Sequence, residues 1–290
     1  MPIYRPDVFS TRFTVENKDS IKSDDPYDSI GQLRALNWTP TDQYLLDDYP
    51  MTAGGAYALR RMKETYIDSA MLVQDSSSNL ANIGFASDGT LDTDTLLSFA
   101  AGGTLKVRNW MNANNAVNLS QSISTTTFSS MPTIVDSGTL VTDVDGRPAL
   151  SLVGANSLVI GLSPTAANRV VYLVGDFDGP VTEFFGILGS IALIGYGVAS
   201  YNQASTNIGP ALTTGTKTLI TLNLQSTGAE VYQDGVLVAS GLSYAQVQNN
   251  VMGFLSQSTG TISEWLTYEG DDGSNIPAIN TALMTYYDIV

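Results

Sequence analysis

The 290-residue sequence has no cysteine and no histidine. The first absence excludes disulfide staples, thiol nucleophiles and thiolate zinc sites; the second removes Ser-His-Asp triads and imidazole ligands. Charge is sparse: only 14% of residues are Asp, Glu, Lys or Arg, and 13 basic residues face 28 acidic ones, a formal net charge of −15. After Arg169 the single remaining basic residue is Lys217, so the C-terminal region carries an almost purely acidic field. That field repels phosphate backbones, and no nucleic-acid partner is expected. Long apolar runs are missing as well. The longest, Ile187 to Ala199, is broken by Gly189, Gly195 and Gly197 and is too short to span a bilayer, so membrane insertion is not expected. Met1-Pro2-Ile3-Tyr4-Arg5-Pro6-Asp7 is not followed by the continuous apolar stretch of a signal peptide. No phosphate-cradling glycine loop and no dinucleotide fingerprint is found, and no cofactor or metal is expected.

What the sequence does have is strand pattern. Hydrophobic residues make up 43%, enough for a sizeable core. Between Thr218 and Tyr268, Ile220, Leu222 and Leu224 alternate with Thr221, Asn223 and Gln225, the period of a half-buried strand. Asp234-Gly235, set between Val231-Tyr232 and Val236-Leu237-Val238, has the composition of a two-residue hairpin turn. Asp145-Gly146 suggests another tight turn. Further strands are expected at 71–73, 83–85, 105–110, 133–136, 139–142, 147–153 and 157–160. Arg169 to Gly175 reads as a strand buried on both faces, and Phe184 to Tyr201 as two strands joined near Gly189. Short helices are expected at 56–66 (Tyr57, Leu59, Met62, Tyr66, with Arg60, Arg61 and Lys63 on its polar face), at 93–101 behind an Asp92 or Thr93 cap, and from Pro277 to the Tyr286-Tyr287 pair.

Residues 1–54 differ from the remainder. They hold five of the 11 prolines and scattered apolar residues, among them Ile3, Phe9, Phe13, Leu36 and Trp38. Two short helices are expected there, one after Ser29 and one through Tyr44-Leu45-Leu46. Such a segment buries too little surface to fold alone. It reads as an extended N-terminal arm, with Ala53-Gly54-Gly55 as a hinge and residues 55–290 as the folded domain. The arm is either wrapped on its own domain or anchored to another subunit.

Residues 56–99 carry a resemblance. Ala56-Tyr57-x-Leu59-Arg60, Tyr66, Val73, Ser76, Ile83-Gly84-Phe85, Asp88-Gly89, Leu91-Asp92-Thr93 and Leu96-Leu97-x-Phe99 resemble the opening of the arabinofuranosidase-B catalytic-type domain. Gly260-Thr-Ile-Ser-Glu-Trp-Leu-Thr-Tyr268, followed by a helix ending Tyr286-Tyr287-Asp-Ile, resembles the close of such domains in structural proteins of tailed bacteriophages. The resemblance spans roughly residues 56–290. It implies a mainly β protein: a concanavalin-A-like (laminin-G-like) antiparallel β-sandwich or jelly roll with a few short helices. Family members carry a Tyr-Asp-Gln-Ser-Gly-x-Gly-like turn after the Trp-bearing strand, where this chain has Trp110-Met111-Asn112-Ala113-Asn114-Asn115. Enzymatic activity is therefore not expected.

The residue set narrows the chemistry further. Glycoside hydrolysis needs only two carboxylates, and the candidates are Asp176, Asp178, Glu183, Glu230 and Glu264. Strand alternation puts Glu264 on one face with Ile262 and Leu266. Asp176-Phe-Asp178-Gly179 and Asp271-Asp272-Gly273 could ligate calcium or simply make turns. Trp110 and Trp265, with Asn112 and Asn114, are candidates for a sugar-binding platform, although aromatics on strands are more often core. Three functions follow as expectations. The leading one is a structural virion protein of a tailed phage, a decoration, fibre or tail-associated subunit on the particle surface. It would join other virion subunits through residues 1–54 and form a homo-oligomer in a symmetric assembly. The second is a carbohydrate-binding module contacting host surface glycans; the third is a glycosidase of arabinofuranosidase type.

Overall fold

A computed structural model of the chain describes residues 44–114, 123–124, 127–152, 159–161, 168–177, 185–188, 190–194, 201–203, 206–208, 215–242, 251–254, 260–271 and 273–290. The protein is mainly β, and among the described residues every strand pairing is antiparallel. One sheet runs in the order β1 (Gly54–Ala58), β19 (Gly260–Glu269), β10 (Arg169–Phe177), β15 (Lys217–Gln225), β16 (Gly228–Gln233), β17 (Val236–Leu242). The second runs β3 (Leu80–Ile83), β2 (Met71–Asp75), β4 (Leu105–Trp110), β5 (Ile123–Ser124), β9 (Val159–Gly161), β18 (Val251–Phe254), β11 (Phe185–Leu188), β12 (Ser190–Ile194), β13 (Tyr201–Gln203), β14 (Thr206–Ile208). A small corner of β6 (Thr133–Asp136), β7 (Thr139–Leu140) and β8 (Leu150–Ser151) joins them, since β6 pairs with β4 while β8 pairs with β19.

Strand alternation divides the apolar side chains of the first sheet between two cores. Tyr57, Trp265, Val171, Leu173, Ile220 and Leu222 point inward and pack against Met71, Val73, Val107 and Trp110 of the second sheet. That inter-sheet layer makes the molecule a β-sandwich. The opposite face carries Ala56, Ala58, Val170, Tyr172, Val174, Leu266 and Tyr268. It is covered by helix α3 (Ile276–Tyr287), whose Ile276, Ile279, Leu283 and Tyr287 are buried. The polar side of β15 is therefore buried too: Thr221 donates to Asn280 of α3 at 2.6 Å. Helix α2 (Thr93–Ala100) starts where expected, with Asp92 accepting the Thr95 N–H at 3.0 Å, and ends at Ala101 in the left-handed region. The Asp234-Gly235 hairpin forms with positive φ at both residues, 49° and 75°.

Two expectations are corrected. No helix forms at 56–66: Gly54–Ala58 is strand β1, buried along its whole length beside β19. Tyr57 and Leu59, two apart, share the inter-sheet core whereas Met62 and Tyr66 enter the outer one, so the apolar spacing was a strand's followed by a turn. Nor is Gly54 a hinge. Its φ is 125°, and a Cβ there would lie 1.8 Å from the carbonyl oxygen of Thr267; glycine is required for the backbone approach to β19. Ahead of it, helix α1 (Leu45–Asp48) buries Leu45 and Leu46 in the outer core with Met51. The segment from Tyr44 thus belongs to the sandwich. The expected helix after Ser29 and the rest of the arm, residues 1–43, lie outside the described residues, as do Val153 of the expected strand at 147–153 and residues 157–158 of the one at 157–160.

Candidate functional site

Among the described residues, two adjoining clusters of charged side chains form around the C-terminal end of α3. Glu264 stands on β19 between Ala58 and Val174, with its carboxylate in the outer core. Arg60, two residues past β1 and bridged to Thr90, reaches it with two nitrogens: Nε donates to Oε2 at 2.8 Å and Nη2 to Oε1 at 3.2 Å. The two side chains are 2% and 1% exposed. The Tyr287 hydroxyl donates to Glu264 Oε2 at 2.8 Å. Above this pair the Arg60 guanidinium lies 3.9 Å from the Tyr286 ring centroid, and Arg147 approaches the same ring at 4.9 Å. Burial pushes both tyrosine hydroxyls upward, Tyr287 well above the usual phenol range. Burial alone would pull the guanidinium of Arg60 down, yet Glu264 and the two tyrosines more than offset it and hold it up.

A second cluster adjoins the first. Lys217 Nζ lies 2.8 Å from Asp143 Oδ2 and 2.6 Å from Asp145 Oδ2, and donates to the Tyr287 carbonyl at 3.2 Å. Asp143 sits in the turn between Val141 and Ala149, where its Oδ1 accepts the N–H groups of Asp145 and Arg147. Arg147 in turn reaches Asp288, just past α3, at 2.7 Å. Lys217, Asp145 and Asp288 border an open groove of about 420 Å³, lined also by Gln233 and Asp234. Burial raises the Asp234 carboxyl, opposed by the Leu219 N–H that it accepts at 2.8 Å.

The four residues expected to bind sugar are elsewhere, and below the surface. Trp110 and Trp265 are both 0% exposed and flank Tyr57 in the inter-sheet core, with centroids 6.0 and 5.5 Å from its ring. Asn112 and Asn114, 7% and 3% exposed, tie the chain after β4 to β1 and to Lys63. Asn112 Oδ1 accepts from Ala56 N at 3.0 Å, its Nδ2 donates to Gly54 O, and Asn114 accepts twice from Lys63 Nζ. A buried ring offers no face for stacking, and amides that are buried and bonded to β1 and Lys63 are not exposed to a sugar, so the expected platform is corrected to core structure.

Among the described residues, the candidate carboxylates are dispersed. Glu264 is bound as above. A bulge explains its face: Val174 pairs with Glu264 but Gly175 with Ile262, leaving Ser263 as the extra residue. Ile262 therefore enters the inter-sheet core while Glu264 and Leu266 point outward, which corrects the expectation that all three share a face. Glu230 Oε2 accepts from Asn223 Nδ2 and the Tyr232 hydroxyl, each at 2.9 Å. Asp176 lies beside Lys217 and Thr261 in register. Asp271 caps a turn by accepting Gly273 N–H at 2.6 Å. Asp178, Glu183, Gly179 and Asp272 are outside the described residues. Among those described, no three acidic side chains converge as a metal-ligand set.

Sequence reading missed both clusters. It placed Arg60 on a solvated helix face, and nothing in the spacing joins Lys217 to Asp143. The one available signal is the isolation of Lys217, the sole cation after Arg169.

No family model matches the chain, and no curated protein matches it. Solved structures do. A GH54 α-L-arabinofuranosidase soaked with a cyclic sulfate inhibitor superposes with a TM-score of 0.58 at 11% identity, covering 84% of this chain and 64% of that one. An arabinofuranosidase complexed with arabinofuranosyl-α-1,2-xylobiose gives 0.56 at 10% identity over the same shares. This chain thus spans less than two thirds of the length of those enzymes. At such identities the likeness is one of fold: this chain has a β-sandwich similar to that found in GH54 arabinofuranosidases.

Proposed function

We propose that this chain is a non-catalytic structural module of a tailed-bacteriophage particle, in which a glycosidase-type sandwich serves as scaffold. The segment ahead of Tyr44 joins it to neighbouring virion subunits in a symmetric, surface-exposed assembly. The observation that carries the non-catalytic part is the state of Glu264 on β19. It is buried, held by Arg60 and Tyr287, and spent on fixing α3. A hydrolase needs two carboxylates facing a common cleft, and Glu230, the other candidate whose bonds are described, is held by Asn223 and Tyr232. The phage part is supported by the resemblance at residues 56–99 and 260–289 and by the proline-rich composition of the arm.

The test has two arms. Full-length protein and a chain beginning at Tyr44 are offered to assembling particles; incorporation of the first and loss of the second is expected, and equal incorporation would overturn the anchoring role. Both are also assayed on 4-nitrophenyl α-L-arabinofuranoside, where steady release of nitrophenol would overturn the non-catalytic reading. A second reading, glycan binding by the same particle-borne sandwich, is favoured by its likeness to arabinofuranosidases and is tested on a glycan array.

A further inference from the structure

Lys217 and Asp143 are placed for a reaction with each other. Their side chains are 3% and 0% exposed, and Nζ lies 2.8 Å from Oδ2. Asp143 Oδ1 faces away and accepts two backbone N–H bonds, from Asp145 at 2.9 Å and Arg147 at 3.0 Å. A second carboxylate, Asp145, touches the same Nζ at 2.6 Å and is 46% exposed, so it connects the buried pair to the groove. The Tyr287 ring, 5.5 Å from Nζ, walls off another side. A buried amine, a carboxyl whose carbonyl oxygen is already held by two donors, and an adjacent base are the parts required for amide formation. We propose that the folded chain forms an intramolecular isopeptide bond between Lys217 Nζ and Asp143 Cγ. The inference is independent of any role in a particle.

The step balances without a co-reactant. A proton moves from Nζ to Asp143 Oδ2, leaving a neutral amine beside a neutral carboxylic acid and the charge of the trio unchanged. Nζ attacks Cγ, and the negative charge that develops on Oδ1 falls on the Asp145 and Arg147 N–H groups. Asp145 takes a proton from the attacking nitrogen and delivers it to Oδ2, which leaves as water. One C–O bond is broken, one C–N bond is made, and nothing is oxidised or reduced. The product fastens the 141–149 turn to β15, a covalent tie in a chain that has no cysteine to make one.

Intact mass under denaturing conditions tests this with the full-length chain. The folded, aged protein is expected one water lighter than its sequence mass, with a branched peptide joining Lys217 to Asp143; the same chain kept in urea from the start retains the full mass. Lys217→Arg is expected to show the full mass, and Asp143→Asn to lose one ammonia instead of one water. Asp145→Ala should slow closure by about a hundredfold or more, the usual scale for a general base. A full sequence mass in the folded wild type overturns the proposal. So does a water loss that persists in Lys217→Arg, and closure at an unchanged rate in Asp145→Ala overturns the role given to Asp145.

Discussion

Tyr287, the last residue of α3, donates its hydroxyl to Glu264 Oε2 at 2.8 Å and so binds the C-terminal helix to β19, between β1 and β10 of the first sheet. Arg60 holds the same carboxylate from the segment after β1. Three distant pieces of chain therefore meet on one side chain, and the helix that closes the outer core is positioned by a polar contact as well as by Ile279 and Leu283.

Removing one member of this network exposes its cost. Glu264→Gln leaves the Arg60 guanidinium buried without its countercharge and is expected to destabilise by about 3–5 kcal/mol. Tyr287→Phe deletes a single bond to a carboxylate and should cost about 1.5–3 kcal/mol. Arg60→Met combined with Glu264→Leu should be less damaging than either single change, because no unpaired charge remains. Urea midpoints of these three variants and of Arg60→Met and Glu264→Leu alone check the order.

Truncation should separate the arm from the sandwich at Tyr44, not at Gly54. Residues 45–51 bury Leu45, Leu46 and Met51, each worth about 1.5–3 kcal/mol on full burial. A chain starting at Tyr44 is expected to unfold with the full-length midpoint, whereas one starting at Gly55 should be markedly less stable or insoluble. Thermal melts of both decide it.

The buried indoles give a direct check on the sugar platform. In a Trp38→Phe background the remaining emission comes from Trp110 and Trp265, since the chain has 3 tryptophans. Both should resist acrylamide quenching and stay unchanged on addition of arabinose oligosaccharides. Trp265→Ala should cost about 3–5 kcal/mol as a core cavity.

Asp234 predicts a pH effect. Burial raises its carboxyl in the folded state, so the folded chain holds that proton more tightly than the unfolded chain does. The resulting stabilisation is complete below the ordinary carboxyl range and is lost as pH rises through the raised value. Asp234→Asn keeps the acceptor for Leu219 N–H and tolerates the positive φ at this position. It should match the wild type in acid and exceed it at neutral pH, read from urea midpoints across that range.

Much of the fold was legible because it rests on local periodicity and turn chemistry. Ile220, Leu222 and Leu224 marked an inward strand face, Asp234-Gly235 supplied residues that readily take a two-residue turn with positive φ, and Asp92 and Pro277 marked the helix starts. Composition by itself excluded thiol and imidazole chemistry. What periodicity could not decide was anything set by a partner strand. Whether Tyr57 begins a helix or a strand depended on β19 being free to receive it, and Gly54 is required because its φ is positive and Thr267 lies against it. The bulge at Ser263 turned Glu264 away from Ile262, and the sequence alone cannot show a bulge that exists only in the pairing of two strands. The meetings of Glu264 with Arg60 and of Lys217 with Asp143 were decided in the same way. Buried charges find their partners across the sheet, at sequence separations over which residue spacing carries no information, and tertiary packing alone brings them together.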